Sequence, residues 1–271
     1  MTTLTADQIA ELTRHNLAVW DRCAPTYADG FEALTGGATT ALLDLAGVGR
    51  GTELLDVGTG PGTLVAAGKQ RGARVSAIDL APRMVEQARA RHPDTDIAVG
   101  DASSLPHPSA SFDAVTLGFC LHHAADPQAV LGEADRVLRP GGRVAFSVWA
   151  GEDRLEAFGV AFAAVGESVP LDLVPNLQAP AIGFEPSDYE SILNRGGFVH
   201  PTARILELFW SLTDGAAMFD GFDRFLDLRE QPPSIREEIR QRLDQQIRRR
   251  AGADGVAHLP NPAIIAAAAK P

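Results

Sequence analysis

Glu53-Leu54-Leu55-Asp56-Val57-Gly58-Thr59-Gly60-Pro61-Gly62 is the stretch from which the architecture follows. Its first half is a short apolar run bounded by glycine, the signature of a buried strand, and its second half is a glycine-rich turn. Leu64 to Gln70 then continues as a helix stopped near Gly72. Strand, turn and helix open a βαβ unit, and the unit repeats downstream. Arg74 to Asp79 reads as a second strand, with Pro82 at the first position of a helix striped by Met84, Val85 and Ala88. Ile97 to Val99 and Phe112 to Leu117 read as third and fourth strands. Asp126-Pro127 caps a helix with Val130, Leu131, Ala134, Val137 and Leu138 on its apolar face, which Pro140-Gly141-Gly142 is expected to stop. Arg143 to Trp149 is the fifth strand. Strands alternating with helices imply a parallel sheet with right-handed crossovers, a doubly wound α/β fold.

Outward from this centre the signals are sparser. Residues 7 to 47 read as helical, with a break expected at Pro25 and an end at Gly47. Leu155, Phe158, Phe162 and Val165 mark an amphipathic helix, and the proline-punctuated segment from Pro170 to Pro186 reads as a loop or lid. A helix over 187–195 leads into a strand at 198–206. Ser234 with Glu237 reads as a capping box for a helix carrying Ile235, Ile239, Leu243 and Ile247. The apolar tail from Ala263 to Lys270 suits a strand. These readings divide the chain into an N-terminal helical cap (1–49), a core (50–150), and a C-terminal half of the same domain (151–271) with a lid and a helical insertion at about 207–256.

Composition narrows the function. The 271 residues carry 24 basic and 35 acidic side chains, a formal charge of −11. Nucleic-acid binding needs a clustered cationic excess, and the one dense basic run, Arg248 to Arg250, lies near Glu237, Glu238 and Asp244. The two cysteines, Cys23 and Cys120, support neither a disulfide framework nor a four-ligand zinc site. No apolar run reaches the ~20 residues that span a bilayer. The expectation is a cytoplasmic protein with no nucleic-acid, membrane or metal partner.

In a doubly wound sheet, ligands bind beyond the carboxyl ends of the strands, near the switch in strand order. A dinucleotide fingerprint would place a third glycine at 63, but that position is Thr63, and the spacing is Gly-x-Gly-x-Gly behind an acid. A carboxylate suits an ammonium or sulfonium better than a pyrophosphate. Asp79 ends the second strand about 20 residues after Gly58, where a carboxylate accepts from a ribose diol. Asp101 follows the third strand, where it can meet an exocyclic amine. Three acids ending three adjacent strands describe a ligand with a base, a sugar and a cationic arm.

These residues resemble the class I, seven-stranded Rossmann-like S-adenosylmethionine-dependent methyltransferases of small-molecule type. The matching text is Leu55 to Gly62, Ile78 to Met84, Gly100 to Pro106, Phe112 to Val115, Leu121 to Pro127 and Arg136 to Gly142. The resemblance implies S-adenosyl-L-methionine as cofactor, with Asp56, Gly58, Thr59, Gly60 and Gly62 around its methionine end and Asp79 on its ribose. Leu80 and Met84 flank the adenine, Asp101 and Ala102 meet its amine edge, Gly118 lies near the methyl, and Tyr27 reaches the carboxylate. It further implies the strand order 3-2-1-4-5-7-6, with the seventh strand antiparallel.

Methyl transfer asks chiefly for alignment, and a base is useful only when the acceptor must lose a proton. His122 and His123, just beyond the fourth strand, are the candidates, and the same pair could instead pack or cap the next helix. Phe209, Trp210, Met218, Phe219, Phe222 and Phe225, with residues 151–185, are expected to select the acceptor, which would then be a small apolar or aromatic molecule methylated on O, N or C. Two other readings share parts of these motifs: a rearrangement or cyclisation by a cofactor-binding enzyme of the same fold, and a nicotinamide-binding module.

Overall fold

The computed structural model describes residues 4–170 and 185–271, so residues 171–184 of the expected lid lie outside the described residues. The strands are β1 (Glu53–Val57), β2 (Arg74–Asp79), β3 (Asp96–Val99), β4 (Phe112–Gly118), β5 (Leu138–Trp149), β6 (Val199–Leu206), β7 (Phe209–Leu212), β8 (Ala257–Pro260) and β9 (Ala263–Ala269). Seven of them form one sheet in the order β3-β2-β1-β4-β5-β9-β6. Neighbours from β3 to β5 pair in parallel, and β9 runs antiparallel to both β5 and β6. The expected order is therefore the observed one, with the last strand slotted antiparallel between the fifth and sixth.

Both faces of the sheet are covered, which is why its inner strands read as unbroken apolar runs. The helices are α1 (Ala6–Tyr27), α2 (Glu32–Thr35), α3 (Thr39–Leu45), α4 (Thr63–Gln70), α5 (Pro82–Arg91), α6 (Pro127–Val137), α7 (Glu156–Gly166), α8 (Pro186–Arg195), α9 (Ala216–Phe225) and α10 (Pro233–Arg250). On one face, α3, α7, α9 and α10 bury Leu42, Ala161, Phe222 and Leu243 against Leu54, Ala145, Ile265 and Ala267. On the other, α6 and α8 bury Leu131 and Ile192 against Leu55, Val115, Phe146, Ile264 and Ala266. The period-two split of β9, with 263, 265 and 267 facing one core and 264, 266 and 268 the other, is the geometry of a central strand. Between β6 and β9 the chain inserts α9 and α10 with the antiparallel pair β7–β8. Among the described residues no helix is long and apolar enough to cross a membrane.

Three local expectations fail for identifiable reasons. Pro25 does not break α1, which continues to Tyr27, because a proline in the last turn forfeits little of the helix ladder. Pro140-Gly141-Gly142 does not stop α6. That helix ends at Val137, and the three residues belong to β5, where Gly141 takes φ +79° and the β4 pairing jumps from Phe112↔Leu138 to Ala114↔Arg143 as a bulge. The Ser234 capping box does not form. Pro233 takes the first helical position with its preset φ, no side chain caps α10, and Glu237 pairs with Arg240 instead.

The turn after β1 rests on positive φ at Gly58 (+70°), Gly60 (+54°) and Gly62 (+93°). Gly58 is also a packing requirement, since a Cβ there would stand 2.5 Å from Cys120 Sγ and 2.7 Å from its Cβ. Gly255, at φ +78°, has nothing within 4 Å of such a Cβ. Gly58→Ala is expected to cost about 2 to 4 kcal/mol in urea unfolding, combining left-handed strain with overpacking, against about 1 kcal/mol for Gly255→Ala. Equal losses would show that backbone strain alone sets the cost.

Candidate active site

The strand order reverses between β1 and β4, and the carboxyl ends of the strands there open into one cavity of about 130 Å³. Its position is that of a small-molecule site. Val57, Gly58 and Gly60 form its floor, while Asp79, Leu80 and Met84 come from β2 and the start of α5. Gly100 to Ser103 follow β3, Gly118 to Cys120 end β4, and His123 to Asp126 precede α6. Gly60 faces open space, with nothing within 4 Å of the position a Cβ would take.

Asp79 holds the turn as well as facing the cavity. Its Oδ2 accepts from Gly60 N–H at 2.7 Å and its Oδ1 from Ala81 N–H at 2.9 Å. Burial pushes its carboxyl up to about 6, against the pull of backbone N–H groups from Ala81, Gly60 and Leu80. Asp101 closes a tight turn on itself, Oδ1 accepting both the N–H and the hydroxyl of Ser103 at 2.8 Å. Asp56 lies beneath the turn, fully buried and outside the cavity wall. Its Oδ1 accepts from Thr116 Oγ1 at 2.9 Å, while Oδ2 and the Thr59 hydroxyl are buried with no hydrogen bond. Burial raises its carboxyl to about 6, the nearby Thr59 and Thr116 hydroxyls pull against that, and the Asp79 charge adds to it.

One side chain registers the convergence of all three acids. The Cys120 thiol is pushed up to about 12, chiefly by burial and then by the charges of Asp79, Asp56 and Asp101. It is a neutral packing group against Gly58 and no nucleophile.

Of the residues read from sequence, the cavity wall brings together Tyr27, Gly58, Gly60, Asp79, Leu80, Met84, Asp101, Ala102, Gly118 and His123. Asp56, Thr59, Gly62 and His122 lie outside it. Gly62 is the N-cap of α4, with its carbonyl 3.0 Å from His92 Nε2. The Tyr27 hydroxyl is 3.2 Å from Thr35 Oγ1, and burial holds its pKa up to about 12. The two histidine rings lie 4.0 Å apart between centroids. Burial drives His122 well below the usual imidazole range and His123 down to about 4, so both are neutral at pH 7. His123 meets Trp20 edge-on at 4.8 Å, and its carbonyl accepts from Asn16 Nδ2.

Sequence reasoning missed the roof. Ile9, Thr13, Asn16 and Trp20 of α1 line the cavity above Tyr27, and their spacing of four, three and four is the stripe of one helix face. The expected acceptor selectors mostly pack elsewhere. Trp210, Met218 and Phe222 are buried in the core and Phe209 is half exposed, with none in the cavity wall. Phe225 reaches it only indirectly, 5.7 Å from Trp20.

Asp56, held at about 6 against 3.8 for a free side chain, binds its proton more tightly folded than unfolded. It therefore costs stability in full above about pH 6 and nothing below about pH 4. Asp56→Asn, whose amide can keep the Thr116 bond and donate to Thr59, is expected to stabilise the ligand-free protein by about 1 to 3 kcal/mol at pH 7.5. The gain should fade toward pH 4 in thermal melts, and a gain independent of pH would contradict it.

Residues 55–146 match a family model described as a methyltransferase domain. The chain is 36% identical over 131 residues to a demethylmenaquinone methyltransferase of Renibacterium salmoninarum, covering 47% of this chain and 55% of that one. It is 35% identical over 133 residues to a malonyl-[acyl-carrier protein] O-methyltransferase of Serratia marcescens, covering 49% and 52%. The chain thus spans about half the length of the curated relatives it matches. The YcgJ protein of Bacillus subtilis shares the fold over 86% of this chain and 97% of its own, at TM-score 0.56 and 17% identity. Through the strands and glycine turn of residues 55–146, the chain is similar to the methyltransferase-domain family.

Proposed function

We propose that the chain transfers a methyl group from S-adenosylmethionine to an O, N or C atom of a small apolar or aromatic acceptor. The observation that carries this reading is the joining of Asp79, Asp101 and an open glycine turn in the wall of one largely apolar cavity. Asp79 would take the ribose diol, Leu80 and Met84 would hold the adenine, and Asp101 with Ala102 would meet its amine edge. The cofactor, when bound, supplies a methyl already activated on sulfonium sulfur. This chain's residues orient the partners and exclude water: α1 roofs the cavity, and Trp20, Phe119 and His123 offer ring surfaces in its wall. Those rings, and a lining without lysine or arginine among the described residues, support an aromatic or apolar acceptor. The relatives' named substrates, a demethylmenaquinone and an acyl-carrier-bound malonyl group, include one acceptor of this kind.

Release of S-adenosylhomocysteine on incubation with S-adenosylmethionine and a panel of phenols, quinols and aromatic amines tests the transfer. Binding of the cofactor with conversion of a panel compound but no released S-adenosylhomocysteine would favour the rearrangement reading instead. Asp79→Ala is expected to weaken calorimetric S-adenosylhomocysteine affinity by about 1 to 3 kcal/mol, the cost of an unsatisfied diol. Unchanged affinity would remove Asp79 from the site.

Of the two histidines, His123 is the one in the cavity wall, and the His122 ring lies tilted against it. For a hydroxyl acceptor, His123→Ala should lower kcat by about 100-fold with cofactor affinity unchanged. A variant as active as the parent would assign the ring to packing against Trp20.

A further inference from the structure

Asp56 is the strand-end acid that the cavity does not touch, and its surroundings give it a different part from Asp79 and Asp101. It stands on β1 directly beside Thr116 of β4, its register partner, and both side chains are fully buried. The Thr116 hydroxyl donates to Oδ1 at 2.9 Å, while Oδ2 makes no hydrogen bond of normal geometry and has the Thr59 hydroxyl of the turn, also without one, acting on it. A hydroxyl in the middle of a buried strand costs free energy unless it is bonded, and valine would fill the same volume between β1 and β5. Thr116 is justified there by the carboxylate it holds.

We infer that Thr116 is a positioning residue: from the neighbouring strand it fixes the Asp56 carboxylate so that Oδ2 and the negative charge stay directly beneath the glycine turn, where the cationic arm of the ligand rests on the other side. The inference depends on the cofactor reading proposed above and adds to it a residue that touches neither ligand nor cavity. Asp56 acts through the turn, at the range of a charge and not of a contact, and in a buried site that interaction is weakly screened. One oxygen tied to Thr116 prevents the carboxylate from rotating, and it favours the ionised form over the protonated one.

The groups facing Asp56 from the surrounding elements are few. On β2 it feels the charge of Asp79. Beyond β4 the Cys120 thiol stays neutral to about 12. Thr59 in the turn, Thr116 on β4 and Ser147 on β5 do not titrate in this range. Of the groups named here, Asp56 and Asp79 are those whose charge changes between pH 5 and pH 8, and Thr116 bonds to the first of them.

The test is the pH profile of S-adenosylhomocysteine affinity, measured by calorimetry from pH 5 to pH 8 on the full chain. The parent is expected to lose affinity on the acid side as the two carboxylates protonate near 6. In Thr116→Val the acid limb should move upward by about one pH unit, giving about threefold weaker binding near pH 6.5, approaching tenfold by pH 5 and converging on the parent by pH 8. Thr116→Ser, which keeps the hydroxyl, should superimpose on the parent. Thr116→Ala, run in parallel against failure of the valine variant to fold, should show the same displaced limb as valine. A valine or alanine profile that overlies the parent overturns the inference, and so does one weakened by the same factor at every pH, which would mark Thr116 as a packing residue. A parent that binds no S-adenosylhomocysteine at any pH overturns the cofactor reading itself and takes this inference with it.

Discussion

Burying carboxylates at the ends of neighbouring strands is the constraint around which the rest of the molecule is arranged. Asp56 and Asp79 are both taken out of water at the switch in strand order, and their mutual repulsion adds to the cost of desolvation. A fold tolerates this when something offsets it. The chain's own offset is partial: two backbone N–H groups on Asp79, one hydroxyl on Asp56, and carboxyls pushed toward neutrality. In the proposed reading a cation and a hydroxyl pair would add to it, so that ligand affinity and the cost of burying the acids would be two sides of one arrangement.

The glycine turn follows from that constraint. Asp79 can reach Gly60 N–H at 2.7 Å only if the chain turns back over the ends of β1 and β2, which demands positive φ at the alternate positions Gly58, Gly60 and Gly62. Gly58 must also lie flat against Cys120, and Gly60 must present bare backbone to the cavity. Cys120 is small enough to sit under the turn and, kept neutral by burial, adds no charge to a crowded anionic site. Turn, thiol and acids therefore depend on one another, and none could be exchanged alone without disturbing the other two.

What was legible in the chain was whatever has a short-range signature. The strand-turn-helix units of residues 50–150, the acid ending each of the first two strands, the Asp126 cap and the apolar tail that becomes β9 all announce themselves within ten residues. What was not legible depends on partners distant in sequence. The roof of the cavity is a stripe on α1, and a stripe shows that a helix has a face without saying what lies opposite it. The aromatic residues 209–225 fit a pocket wall or a core equally well by type, and only the return of α7 and α10 onto them decides for the core. Pro140-Gly141-Gly142 carries a strong stop signal, yet the chain stops its helix earlier and uses the same residues for a bulge, since pairing with β4 outweighs a local preference.

The proposed division of the site into a cofactor half and an acceptor half accounts for why the first would be readable and the second would not. A nucleoside with a cationic arm presents fixed polar groups, and recognising it requires named side chains at fixed strand ends, which is a pattern a sequence can display. An apolar acceptor, as proposed, would present surface, and the rings in the cavity wall are assembled only by the tertiary fold: Trp20 from α1, Phe119 beyond β4 and His123 before α6, the first some hundred residues from the other two. Phe119 shows how specific that assembly is, for it takes φ +51°, a conformation aromatic residues avoid, and is held there by bonds from its N–H to the Ser147 carbonyl and hydroxyl, both at 3.1 Å. Stacked at 4.1 Å on Trp149, its ring is fixed by β5 and not by its own neighbours, so the shape of this part of the cavity is a property of the sheet's register and is visible only once the sheet is built.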